Sequence, residues 1–168
     1  ATLLIHDVLD HNAKDHMWLS LPGLATMHEI EAASLRLMVP GTGLTYEDSR
    51  GFIATDKYDF ALQSAAPHEL TVEAHPKSDS LGHILGISRL VRQIDPDRSA
   101  VTGVTTYDEA GNLTKTYSAT EFSSVGGRWY PGRVEINHKA QMREAAITYR
   151  YRSIKKAPPA DLFRPLPG

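Results

Sequence analysis

Three histidines and three aspartates fall within the eleven residues HDVLDHNAKDH, positions 6–16. Imidazole and carboxylate together suit zinc or iron, so His6, His11 and His16, with Asp10 or Asp15, outline a metal-dependent enzyme site. The spacing argues the other way. His6 falls within a strand pattern and His11 within a turn, so the side chains need not converge. No histidine pair stands at i, i+4 on a predicted helix in the manner of HExxH. A polar, exposed hairpin accounts for the same residues. His68, His75 and His83 flank a second loop, and His138 sits at a hairpin tip, again without ligand spacing.

Other catalytic constellations are weaker still. A serine nucleophile on a sharp turn would show GxSxG, and GISRL at 86–90 is only a distant echo of it. The carboxylate pairs Glu47–Asp48 and Glu29–Glu31 are explained by solvent exposure. PGTGL at 40–44 lacks the lysine and following helix of a phosphate loop. With no cysteine in the chain, disulfides, thiolate zinc and cysteine nucleophiles are excluded together. The expectation is a non-enzymatic protein with no catalytic residues, no metal and no cofactor.

A chain of 168 residues with a net charge of −2 fits a single domain, 1–168, and lacks the basic stripe of a nucleic-acid binder. No run approaches the roughly 18 apolar residues of a membrane-spanning helix. The first residues, ATLLIHDV, carry neither the basic start nor the long apolar core of a signal peptide. They read as the middle of a strand, as in a processed or truncated chain.

The dominant hydrophobic period is two. Met17, Leu19 and Leu21 alternate with Trp18 and Ser20; Tyr58, Phe60 and Leu62, then Leu70, Val72 and Ala74, repeat the pattern. Val134 and Ile136 alternate with Arg133 and Glu135, and Ile147, Tyr149 and Tyr151 with Thr148, Arg150 and Arg152. One-sided alternation is what an antiparallel sheet with one buried face requires. Strands are predicted near 2–9, 16–21, 24–31, 57–64 and 69–75, followed by a flexible PKSDSLGH loop. A five-strand meander is predicted from about 86 to 153, with turns at DPDRS, DEAGN, SVGG and NHKAQM. Residues 32–56 read as an irregular lid or binding loop, in which Thr45 and Asp48 are placed to form a capping box.

About ten antiparallel strands with little helix must roll up to cover their apolar face. The predicted fold is mainly β: a strongly curved antiparallel sheet forming an unclosed, half β-barrel. In GGRWYPGRVEI, positions 126–136, the two glycines turn a hairpin, Pro131 suits an edge or bulge, and Gly132 permits bending. By parity with Val134 and Ile136, Tyr130 faces the concave side and Trp129 the other.

Two stretches together resemble a known family. WLSLPGLATMHEI followed by GTGLTYED is similar to W-L-Y-L-P-A-L followed by G-S-D-F-T-Y-E-D. YDEAGNLTKTYSATEFSSVGGRWYPGRVEI, then PPADLFRPLPG, is similar to a D-x-x-G-K-L turn, a G-x-W-x-P-x-R-x-E strand and an L-F end. These are the outer-membrane lipoprotein-sorting proteins, the Lol carriers of Gram-negative bacteria. The likeness runs through nearly the whole chain in consistent order. It implies an unclosed barrel whose apolar cavity, covered by helices, carries acyl chains through the periplasm without catalysis. The family's signal sequence, N-terminal helix and first strands have no counterpart here. Its acidic G-S-D-F position is lost, because the sequence reads Gly41, Thr42, Gly43, Leu44.

The expected function is therefore a periplasmic carrier of lipid acyl chains or a lipoprotein, served by an inner-membrane lipid exporter. Met17, Leu19, Leu21, Phe60, Leu62, Val72, Tyr130, Val134 and Ile136 are expected on the concave face, with Leu37, Met38 and Phe52 at a mobile rim. Arg133 and Arg150 either meet a polar head group or lie on a solvated outer face. Two other readings stay open: the metal-dependent enzyme of positions 6–16, and a structural envelope module docking a partner protein. An exposed edge at residues 1–9 could also pair with a second copy.

Overall fold

The computed structural model describes residues 2–6, 16–20, 27–31, 36–39, 42–46, 48 and 57–150. The protein is mainly β. A small antiparallel sheet joins β1 (Thr2–His6), β2 (His16–Ser20) and β3 (His28–Glu29). The principal sheet has seven antiparallel strands in the order β12-β11-β8-β7-β6-β5-β4 and is open at both ends. Its strands are β4 (Tyr58–Ala66), β5 (Glu69–Pro76), β6 (Arg89–Asp95), β7 (Ala100–Tyr107), β8 (Leu113–Thr120), β11 (Arg133–His138) and β12 (Arg143–Thr148). A two-stranded ribbon, β9 (Ser123–Val125) with β10 (Arg128–Tyr130), stands apart from it.

The turn chemistry explains the meander. Gly111, with φ of +80°, turns β7 into β8, and Gly126 and Gly127, at +60° and +78°, turn β9 into β10, conformations that glycine adopts without steric cost. After β11, a 3-10 turn at Lys139–Gln141 and Met142 at φ of +49° reverse the chain at once. The last strand therefore begins at Arg143 and ends at Thr148, several residues earlier than the alternation through Tyr149 and Tyr151 suggests. Tyr149 N–H instead donates to Gly132 O at 2.8 Å.

Two expectations are corrected. PKSDSLGH is no loop: it contains α1 (Asp79–Leu85). Ser78 Oγ accepts the Leu81 N–H at 3.2 Å, Asp79 opens the first turn, and Gly86 closes the helix at φ of +65°. Seven residues are too few for a stable isolated helix, so packing must hold it. Leu85 supplies that packing by touching two core clusters. The predicted continuous strand through RWYPGRVEI is likewise broken, at Pro131 and Gly132. Gly132 N–H donates to both Thr120 O and Glu121 O, at 3.1 and 3.0 Å. The backbone passes so close that a Cβ there would lie 2.7 Å from Glu121 O. Because the strand is interrupted, the parity linking Tyr130 to Val134 does not carry across.

The core is a chain of three clusters. Met17, Leu19, Val39 and Tyr46 form the first; Tyr58, Ala74, Leu90 and Val104 the second; Ala119, Val134 and Ile136 the third. Leu85 joins the first to the second and Tyr117 the second to the third. Gly132→Ala should lower stability by about 1–3 kcal/mol through overpacking against the Glu121 carbonyl. Gly111→Ala, with open space around it, should cost only the left-handed backbone term of about 1–2 kcal/mol. Urea unfolding midpoints of the two variants measure both.

Candidate functional site

Directly paired residues share one face of a sheet, so the register reads as rows of side chains. One row crosses the principal sheet through Phe60, Ala74, Leu90, Thr106, Lys115 and His138. The next runs through Leu62, Val72, Arg92, Val104, Tyr117, Ile136 and Ala145. This inner face is apolar along most of its width and buried at its centre, where Ala74, Leu90, Val104 and Ile136 are each at most 2% exposed.

Residues 37–39, 42–46 and 48 lie over part of it. Val39 N–H donates to Leu44 O at 2.7 Å and Tyr46 N–H to Leu37 O at 3.1 Å, while Met38 bridges Thr45. Within the segment read as irregular, residues 37–39 and 44–46 are thus paired like a short hairpin. Gly43 rests against β12, its Cβ position 3.5 Å from Ala145 Cβ. Leu44 packs on the cluster of Ala119, Val134 and Ile136, and Val39 and Tyr46 pack with Met17 and Leu19. The expected capping box is present: Asp48 N–H donates to Thr45 Oγ1 at 3.1 Å, and Thr45 N–H donates to Asp48 Oδ2 at 2.9 Å.

Asp48 does more than cap. Its side chain is fully buried, with Oδ1 accepting from Lys115 Nζ at 2.7 Å. Its Oδ2 lies 2.9 Å from His138 Nε2, off the line of a straight hydrogen bond. Lys115 and His138 are themselves buried and stand directly opposite each other on β8 and β11. A cation in this apolar setting needs a paired anion, and Asp48 provides it. Burial by itself would push the Asp48 pKa up. The His138 contact, the charge and hydrogen bond of Lys115, and the Thr45 N–H outweigh it and hold the carboxyl well below the usual carboxylate range. Thr106, beside Lys115 in the row, is buried too and shares a hydrogen bond with Thr114 Oγ1 at 2.9 Å.

A further inner-face cation, Arg92, is buried between Val72 and Val104 in register. Its guanidinium lies 5.2 Å from the Phe60 ring centroid, within cation–π range. Burial lowers its pKa, opposed by Tyr58. None of these three polar side chains was singled out from the sequence as facing inward, although each occupies a buried-parity position: Arg92 between Leu90 and Ile94, Lys115 before Tyr117 and Ala119, His138 after Val134 and Ile136. A charge at an apolar parity position was the available signal.

The expected site residues divide into groups. Met17 and Leu19 are buried under Val39 and Tyr46, and Val134 and Ile136 under Leu44. Val72 is half-buried, while Phe60 and Leu62 are 42% and 63% exposed at the β4 end of the same face. Leu37 is exposed and Met38 half-buried within the covering segment, and Tyr130 is half-buried on the separate ribbon. Leu21 and Phe52 lie outside the described residues. Arg133 points outward with Glu135, at 2.8 Å, beside a polar cavity of about 430 Å³ lined by Thr116, Ser118, Asn137 and Glu144 among others. Arg150 is exposed.

Of the histidine cluster, His6 pairs with His16 in the β1–β2 register. His16 Nδ1 lies 2.6 Å from Glu29 Oε1, and its ring stacks on Trp18. His11, Asp10 and Asp15 lie outside the described residues. Among the described residues, no group of three or more such side chains gathers around a point that could hold a metal ion, and no helix is long and apolar enough to cross a membrane.

Residues 3–165 match a protein-family model whose description reads "Uncharacterized protein". The chain belongs to that family. No curated protein shows a significant match to it. Its fold is shared with three solved structures. A DUF1329 family protein from Desulfovibrio piger superposes with a TM-score of 0.83 at 19% identity, over 96% of this chain and 68% of that one. A domain from Vibrio parahaemolyticus named for outer membrane lipoprotein sorting gives 0.74 at 19%, over 90% and 64%. A LolA superfamily protein from Nitrosomonas europaea gives 0.60 at 16%, over 89% and 66%. The chain thus spans about two thirds of the length of each. The predicted resemblance to lipoprotein-sorting proteins holds at the level of the fold.

Asp48→Asn and Lys115→Met should each destabilise the protein at neutral pH by about 3–5 kcal/mol, because each strands a buried partner. The folded pKa of Asp48 is lower than its unfolded value. Its contribution is therefore complete above about pH 4 and is lost as the pH falls below that. The stability gap between wild type and Asp48→Asn should stay constant from neutral pH to about 4 and narrow below it. Thermal melts across that range check the sign.

Proposed function

We propose that this protein is a non-catalytic periplasmic carrier that shelters lipid acyl chains, free or on a lipoprotein, against the inner face of its seven-stranded sheet. The observation that carries the reading is a row of inner-face side chains, apolar except for Arg92, that runs from Leu62 on β4 to Ala145 on β12, in a fold shared with lipoprotein-sorting domains. Register breaks in the β4–β5, β6–β7 and β7–β8 pairs favour a curved sheet, because bulges bend strands and raise twist. Acyl-chain burial contributes roughly 0.8 kcal/mol per CH₂ without needing polar contacts.

In this reading, Phe60, Leu62 and Val72 are the entry end of the seat, and Val134 and Ile136 its inner end under Leu44. Residues 37–48 act as a cover built from the chain's own apolar side chains, displaced as a ligand advances. Met17 and Leu19 lie beneath the same cover. A lipoprotein and an inner-membrane exporter are the expected partners.

Purified protein extracted into organic solvent and analysed by mass spectrometry should release lipid, and a fluorescent fatty acid should bind and be displaced by unlabelled acyl chains. Leu62→Asp changes an exposed side chain, so it should leave the melting temperature within a few degrees while weakening probe binding about tenfold, as expected for a charge placed on an apolar seat. If no lipid is recovered and no probe binds, the carrier reading fails.

A further inference from the structure

We propose that Lys115 and His138 form the seat for an anionic head group, and that Asp48 occupies this seat as an internal substitute while the face is covered. The inference rests on the carrier reading and deepens it by naming the ligand class: an amphiphile with a phosphate or carboxylate at one end. Lys115 and His138 are fixed on neighbouring strands in direct register. The next paired positions on the same face are Tyr117 and Ile136, so Lys115 and His138 border the apolar row. Their present partner is a carboxylate whose two oxygens divide between them, Oδ1 to Lys115 at 2.7 Å and Oδ2 to His138 at 2.9 Å. Two oxygens of one anionic centre, spaced as in a carboxylate or phosphate, are what the pair holds. Asp48 reaches it from the covering segment, which also places Leu44 on the apolar cluster. Head-group mimic and acyl-chain mimic thus come from one stretch of chain, five residues from start to finish. A ligand that supplied both would replace both, whereas a neutral amphiphile would not return the negative charge that Asp48 brings to this buried pair.

The test compares three probes by calorimetry: dodecyl phosphate, dodecanol and inorganic phosphate. Wild type should bind dodecyl phosphate about tenfold or more tightly than dodecanol, the scale of one charge-assisted contact. Asp48→Asn, which weakens the internal competitor, should widen that ratio. Lys115→Gln should collapse it to about one, and Lys115→Arg should keep it, with circular dichroism confirming the fold of each. The wild-type ratio decides the question even if a variant does not fold. Equal binding of phosphate and alcohol by wild type overturns the head-group seat and leaves the carrier reading standing. A ratio unmoved by Asp48→Asn and Lys115→Gln overturns it as well. Inorganic phosphate binding as tightly as dodecyl phosphate would make the pair a free-anion site and overturn the lipid assignment. Failure of both amphiphiles to bind overturns the proposal together with the carrier reading.

Discussion

The covered state of this protein depends on one buried carboxylate. Lys115 and His138 occupy inward positions of a sheet, between Thr106 on one side and the apolar pair Tyr117 and Ile136 on another, and neither can shed its polarity. Burying such groups costs several kcal/mol unless an anion meets them. Asp48 does so, and because it belongs to residues 37–48, neutralising the sheet and covering it are a single event. The Thr45–Asp48 capping box holds the carboxylate in position from its own side. Leu44, Val39 and Tyr46 follow, each carried to a different part of the core by the same folded-back segment.

The sheet's apolar row and its charged end ask for different things from whatever covers them. Dispersion and the hydrophobic effect are tolerant of shape and of partner, so Leu44 can be exchanged for other apolar matter at modest cost. The Lys115–Asp48 hydrogen bond is directional and demands a replacement of like charge. A cover fastened only by leucine and valine would open to any greasy surface. In the proposed carrier, one fastened also by a buried carboxylate would open selectively, since its departure removes a buried negative charge that only an incoming anion restores.

Much of this was legible in the residues. Period-two alternation located the strands, glycines at 111, 126 and 127 located the turns, and the order TYED gave the capping box. The misses have physical causes. The segment PKSDSLGH, 76–83, reads as polar and flexible because one apolar contact just beyond it, that of Leu85 with two clusters, decides the helix, and that contact is invisible locally. The strand through RWYPGRVEI breaks because Gly132 must approach the Glu121 carbonyl, a constraint set by a residue eleven positions away. His138 was read as the tip of a hairpin, although it ends a strand whose parity points it inward. Asp48 and Lys115 are 67 residues apart in sequence, so no local pattern could join them. A lysine on the parity of Tyr117 and Ala119 nevertheless announced that a partner had to exist.

The same contact also bears on register. Sliding β11 by one residue against β8 would turn Val134 and Ile136 outward and carry His138 away from Asp48. Apolar pairs alone discriminate weakly among slips of two residues, because such slips preserve the faces. A polar pair on a buried face does not share that tolerance. A two-residue slip would set Lys115 opposite Ile136 and leave Asp48 with only one of its two partners. Buried ion pairs add little net stability compared with apolar residues of the same size. Their value here lies in specificity, since one arrangement of seven strands and a folded-back cover satisfies Asp48, Lys115 and His138 at once.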